Sequence, residues 1–118
     1  MPTIGAGLNW NYSDSSSGDS DSRNLAMQLS PSGANCISGT PSIGTTEETL
    51  ALGDVTSVGL VVIKNLDATN YVEYGTVTGQ RGSKISPGGL AVFEAKNNNV
   101  FIKADTAACR IRYWIYSA

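Results

Sequence analysis

The chain has no histidine among its 118 residues, so the commonest general base and the commonest metal ligand are both missing. Charge is scarce too: 15% of residues are Asp, Glu, Lys or Arg, against about 25% in an ordinary soluble domain. A surface this poor in charge must be covered by Ser, Thr, Asn and Gly, or by other protein. The net charge of −2 excludes the basic footprint that nucleic-acid binding requires. No apolar run approaches the ~20 residues of a membrane span, so neither nucleic acid nor membrane is an expected partner. The opening MPTIGAGLNW lacks a basic segment followed by an apolar one, and synthesis in the cytoplasm is the expectation. Cys36 and Cys109 come without a CxxC or a histidine, so they make neither a secreted disulfide framework nor a zinc site. Free, buried thiols are expected, and no cofactor or metal is.

What the chain does have is a ladder of short apolar segments cut by turn residues. The segments GLVVIKN, NYVEYGTV, GLAVFEAK, NVFIKAD and CRIRYWIYSA follow one another from Gly59 to Ala118, roughly ten positions apart. No stretch sustains a helical period, and the connections are too short for crossover helices. The expected fold is therefore all-β, a single antiparallel β-sandwich of jelly-roll type over residues 1–118. GLVVIKN is apolar on both faces, as in a strand covered on both sides. Upstream, Ile4, Ala6, Leu8, Trp10 and Tyr12 alternate with small or polar residues, which predicts a strand with one buried face. Residues 13–23, SDSSSGDSDSR, read as a flexible acidic loop. NLAMQLS reads as a second strand ending at Pro31. Residues 30–48, broken by Pro31, Gly33, Gly39, Pro41 and Gly44, read as an extended arm or long loop with at most short strands. ETLALGDV is a further strand through Leu50 and Leu52.

Few residues carry chemistry. Asp14, Asp19 and Asp21 suggest calcium, but Arg23 stands where a third ligand belongs and no EF-hand spacing follows. Glu73 and Glu94 could form a glycosidase pair only if they faced one another across a cleft; the plainer expectation is strand-face carboxylates beside Lys or Arg. The serines lack both a His partner and a GxSxG elbow. The last strand is richer: Arg110, Arg112, Trp114 and Tyr116 alternate with Cys109, Ile111, Tyr113 and Ile115. Arg, Trp and Tyr are the residues enriched in protein-interface hot spots. The same set could stack on sugar rings or bases, or be an outer face covered by a loop.

Residues 37–118 also carry a pattern of turns. NLDATNYVEYG at 65–75, ISPGGLAVFEA at 85–95 and FIKADTAACRIRYWI at 101–115 resemble small virion proteins of tailed bacteriophages, as does ISGTPSIGTTEETLALGDV at 37–55. Gly88-Gly89 departs from that pattern, which commonly has Glu in the turn. The resemblance implies a structural virion protein and carries no catalytic residues.

On these grounds the expected function is non-enzymatic: a capsid decoration or cement protein on the virion surface, binding the major capsid protein or another virion protein. It would act as a small homo-oligomer, for which a trimer suits capsid three-fold positions. A tail, neck or fibre-adaptor component is the alternative, and a carbohydrate-binding β-sandwich using Trp114 and Tyr116 is the rival of another class. The expected contact residues are Trp10, Tyr12, Arg110, Arg112, Trp114 and Tyr116, with Ile37 and Ile43 on the arm.

Overall fold

The computed structural model describes residues 3–13, 15–31 and 35–118. Asp14, one of the three candidate calcium carboxylates, and residues 32–34 of the expected arm lie outside the described residues. The chain divides into two compact units, Met1–Ser32 and Gly33–Ala118. The physical reason lies in the backbone: the first two strands form a sheet of their own.

The first unit is a hairpin of β1 (Ile4–Ser13) and β2 (Ser20–Leu29), antiparallel and in register from Ile4 opposite Leu29 to Ser13 opposite Ser20. The loop expected at 13–23 is thus shorter, because Ser20 to Arg23 are strand residues opposite Ser13 to Trp10. Asp21 and Arg23, two apart on one face, form an ion pair at 3.0 Å. The strand at Ile4–Tyr12 is as expected, but its apolar face is not buried: Leu8, Trp10 and Tyr12 are exposed.

The second unit is all antiparallel β. Its elements are β3 (Cys36–Gly39), β4 (Ser42–Ile43), β5 (Glu48–Thr49), β6 (Val58–Asn65), β7 (Val72–Gly75), β8 (Ser83–Ile85), β9 (Leu90–Glu94), β10 (Phe101–Ala104) and β11 (Cys109–Ser117). β3 and β4 both pair with β11 and act as one strand interrupted at Thr40-Pro41. Pro41 has no N–H for the ladder, though its carbonyl still accepts from the Ile111 N–H at 3.1 Å. With β3/β4 taken as one strand the pairs nest: β3/β4 with β11, β5 with β10, β6 with β9, β7 with β8. The first and third pairs share one sheet, ordered β3-β11-β6-β9, and the other two share the second, ordered β5-β10-β7-β8. A long hairpin wrapped in this way has the strand order of a jelly roll.

One core lies between the sheets. Val61, Ile63, Ile111 and Ile115 come from the first sheet, and Val72, Ile85, Ile102 and Ala104 from the second. The expected arm belongs to this core: Ile43 is fully buried in it and Ile37 packs against it. An apolar side chain with a core position open to it gains more by burial than by waiting for a partner.

The turns at 65–70 and 85–89 meet at Asn65, which is fully buried. Its amide donates to the Asn70 carbonyl at 2.9 Å and the Ile85 carbonyl at 3.1 Å, and its Oδ1 accepts from the Asp67 N–H at 2.9 Å. Its backbone bonds to Gly88 and Gly89 in the ISPGG turn, where Gly88 has φ +74°. Asp67 in turn accepts from the Thr69 and Asn70 N–H groups, and Thr106 of the KADTAA segment donates to Asn70 Oδ1 at 2.9 Å. Asn65, Asp67, Asn70 and Thr106 are fold-holding residues: Asn65 is buried, and the half-buried Asp67 and Asn70 and the exposed Thr106 hydrogen-bond within the turns.

Candidate functional site

β11 alternates as its sequence demands, with Cys109, Ile111, Tyr113 and Ile115 buried and Arg110, Arg112, Trp114 and Tyr116 on the outer face. Tyr113 reaches through the core to donate its hydroxyl to the Ala51 carbonyl at 2.9 Å, and burial raises its pKa. The outer residues do not stand alone, because register extends each into a row across the sheet. Trp114 lies opposite Ser38 of β3 and Val62 of β6, and Val62 lies opposite Val92 of β9. One row along, Arg112 is opposite Lys64, and Lys64 is opposite Leu90. Tyr116 is opposite Cys36. Beyond it the register between β11 and β6 slips, and a side chain at Gly59 would strike the Ser117–Ala118 backbone at about 3 Å.

The rows make a pleated face with an aromatic and aliphatic centre. Leu90 and Val92 on the edge strand β9 are 55% and 45% exposed. The Arg112 guanidinium sits 5.1 Å from the Trp114 ring centroid, within cation–π range. Lys64 is tied down, donating to the Gly88 carbonyl at 2.9 Å.

The opposite outer face, on β7, β8 and β10, is different in kind. Glu73 lies between Lys103 and Lys84 in register. The Lys84 ammonium is 5.1 Å from the Tyr71 ring centroid. Tyr71 is hydrogen-bonded to Asp105, which raises its pKa. Arg81 pairs with Glu47 and lies 3.9 Å from Glu73. Glu47 also accepts from the Gly79 N–H and the Thr78 hydroxyl, and these bonds with Arg81 lower its pKa. Arg81 is thus held between two carboxylates, with its Nε buried and without a hydrogen-bond partner.

The sequence-derived sites therefore separate. Arg110, Arg112, Trp114 and Tyr116 share one face of one sheet, as expected. Ile43 is withdrawn into the core and cannot be a contact residue, because none of its surface reaches solvent. Ile37 is half-buried against the same core. Trp10 and Tyr12 are exposed on β1, in the other unit. Glu73 and Glu94 lie on the outer faces of different sheets and do not oppose one another across a cleft. Among the described residues no group of three or more His, Cys, Asp or Glu is placed to hold a metal. Both cysteines are free; Cys109 is buried as expected, but Cys36 is exposed at the sheet edge. Burial, with the nearby Asp67 and Asp105 charges, raises the Cys109 pKa.

Leu90, Val92 and Val62 were missed as members of this face. Their alternation is visible in LAVFE and GLVVIKN, but that β9 adds to β6 rather than to β8 or β10 is not. Compared with known protein families, curated proteins and solved structures, the chain matches none.

Proposed function

We propose that this chain is a non-enzymatic structural protein of a tailed-bacteriophage virion, a capsid decoration or cement protein acting as a small homo-oligomer. The observation that carries the reading is the contrast between the two outer faces. One carries Arg81 beside Glu47 and Glu73, with Glu73 in register between Lys84 and Lys103; the other offers Arg112, Trp114, Val62, Leu90 and Val92 in adjoining rows. A flat face with an aromatic–arginine centre and an aliphatic edge suits another protein surface. The turn pattern of residues 37–118 selects the virion among protein partners. The turns themselves hold the fold, so specificity falls to the face.

The test is particle occupancy. Virions assembled with Val92→Glu or Arg112→Glu should carry the protein at least tenfold more sparsely than wild type, while Lys84→Glu on the other face leaves occupancy unchanged. Cryo-electron microscopy of the wild-type particle should find this face against the major capsid protein. Density at the tail or neck would favour the adaptor reading. Absence from the particle, with saturable glycan binding lost in Trp114→Ala, would replace the proposal with a carbohydrate-binding module.

A further inference from the structure

The hairpin of residues 4–29 shows two unlike faces. Directly opposed residues of an antiparallel pair point the same way, so one face carries Ile4/Leu29, Ala6/Met27, Leu8/Leu25, Trp10/Arg23 and Tyr12/Asp21. The other carries Gly5/Gln28, Gly7/Ala26, Asn9/Asn24 and Asn11/Ser22, and there the Ser22 hydroxyl donates to Asn11 Oδ1 at 2.9 Å. The polar face needs nothing more. On the apolar face, Leu8 is 53% and Leu25 60% exposed. A lone two-stranded ribbon is marginal in water, and a covered apolar face is what ordinarily stabilises one.

We infer that this face packs on the same face of a second copy of the chain, the two hairpins stacking about a twofold axis parallel to their strands. Such an axis keeps each row at its own level and exchanges β1 for β2, so the cross-strand partner within one copy becomes the stacking partner in the other. Leu8 then meets Leu25 of the second copy, and small Ala6 meets long Met27. Arg23 covers the Trp10 ring, a cation–π contact, and the Tyr12 hydroxyl reaches the Asp21 carboxylate. Among the described residues the charges on the face are Arg23 and Asp21, which pair at 3.0 Å and cancel, so two copies do not repel. A nucleic acid or an anionic lipid surface would require a cationic excess that the face lacks.

Size sets the strength. At about 3.4 Å per residue and 4.8 Å between strands, a ten-residue ribbon offers a face of roughly 34 by 10 Å. Two such faces fall short of the ~1,200 Å² of a stable complex, so the association is weak and concentration-dependent. The inference deepens the homo-oligomer part of the proposed function. Its test needs no virion, so failure here leaves the contact face of β11 untouched.

Sedimentation velocity of the full chain from about 1 µM to about 1 mM spans the relevant affinities. Wild type should pass from monomer to dimer. Leu8→Glu and Arg23→Glu should each weaken association at least tenfold, while Asn9→Glu on the polar face leaves it unchanged. Because Leu8→Glu could unfold the ribbon, a second readout uses Trp114→Phe, which leaves Trp10 as the sole tryptophan. Its emission should shift to the blue in step with dimer formation. A chain monomeric at the highest concentration overturns the inference. So does association indifferent to Leu8→Glu or to Arg23→Glu, equal loss in Asn9→Glu, or a Trp10 emission that ignores concentration.

Discussion

Replacing Asn65 should reveal how much of the jelly roll hangs on one buried amide. The side chain is fully buried and makes three hydrogen bonds, two donated to the Asn70 and Ile85 carbonyls and one accepted from the Asp67 N–H. Each such bond contributes about 1 kcal/mol net, and a buried partner left unpaired costs about 1–3 kcal/mol. Asn65→Ala strands three partners at once and opens a small cavity, so the expected loss is about 3–5 kcal/mol. That is a large share of the ~5–15 kcal/mol stability of an ordinary domain. In urea, with a slope of about 1.5 kcal/mol per molar, the midpoint should fall by roughly 2–3 M at unchanged slope. Asn65→Asp should be worse at neutral pH, because a carboxylate oxygen replaces the donor facing two carbonyls. The introduced carboxyl would have a raised pKa in the folded state, so its penalty grows as pH rises and shrinks below about pH 4. Asn99→Ala, at an exposed position between β9 and β10, should stay within about 0.5 kcal/mol of wild type. A loss below about 1 kcal/mol in Asn65→Ala, or a wild-type midpoint in Asn65→Asp, would refute the reasoning.

Three further outcomes follow from the same packing. Ile43→Ala should cost about 2–5 kcal/mol by calorimetry, and deleting residues 30–48 should abolish folding of the second unit rather than merely weaken assembly. A thiol reagent should modify one cysteine per native chain, Cys36, and reach Cys109 only in denaturant. Glu47 and Asp67 both have pKa values lowered in the fold, Glu47 first by the Gly79 N–H and Asp67 first by the Asn70 N–H. Their stabilisation is present at neutral pH and lost as pH falls through the folded values, so melting temperature should drop below about pH 4, and less steeply in Asp67→Asn.

Much of this was legible in the residues. Strand existence followed from period-two alternation and turn residues, because each apolar run from Val58 to Ser117 is bounded by Gly, Pro, Asn or Asp. The outward set Arg110, Arg112, Trp114 and Tyr116 followed from alternation alone, since β11 can bury only one parity. The misreadings share one cause. Residues 30–48 read as an extended arm or long loop because Pro and Gly interrupt them, yet Ile37 and Ile43 find sites beside β11 that no local pattern reveals. The strand Ile4–Tyr12 looked half-buried because its pattern is that of a buried face, but pattern states only which face could be covered.

The sequence by itself determined an all-β chain without histidine chemistry, the parity of strands that alternate clearly, such as β11, and most of the turns that separate them. Local sterics, side-chain periodicity and turn preferences act within a few residues, so they can be read from neighbours. Only the tertiary structure decided which strands pair, and hence that Trp114, Val62 and Val92 form one row while Asn65 ties its own turn to the distant Ile85–Gly89 turn. Those pairings depend on a shared core assembled from both sheets, a property no single segment contains.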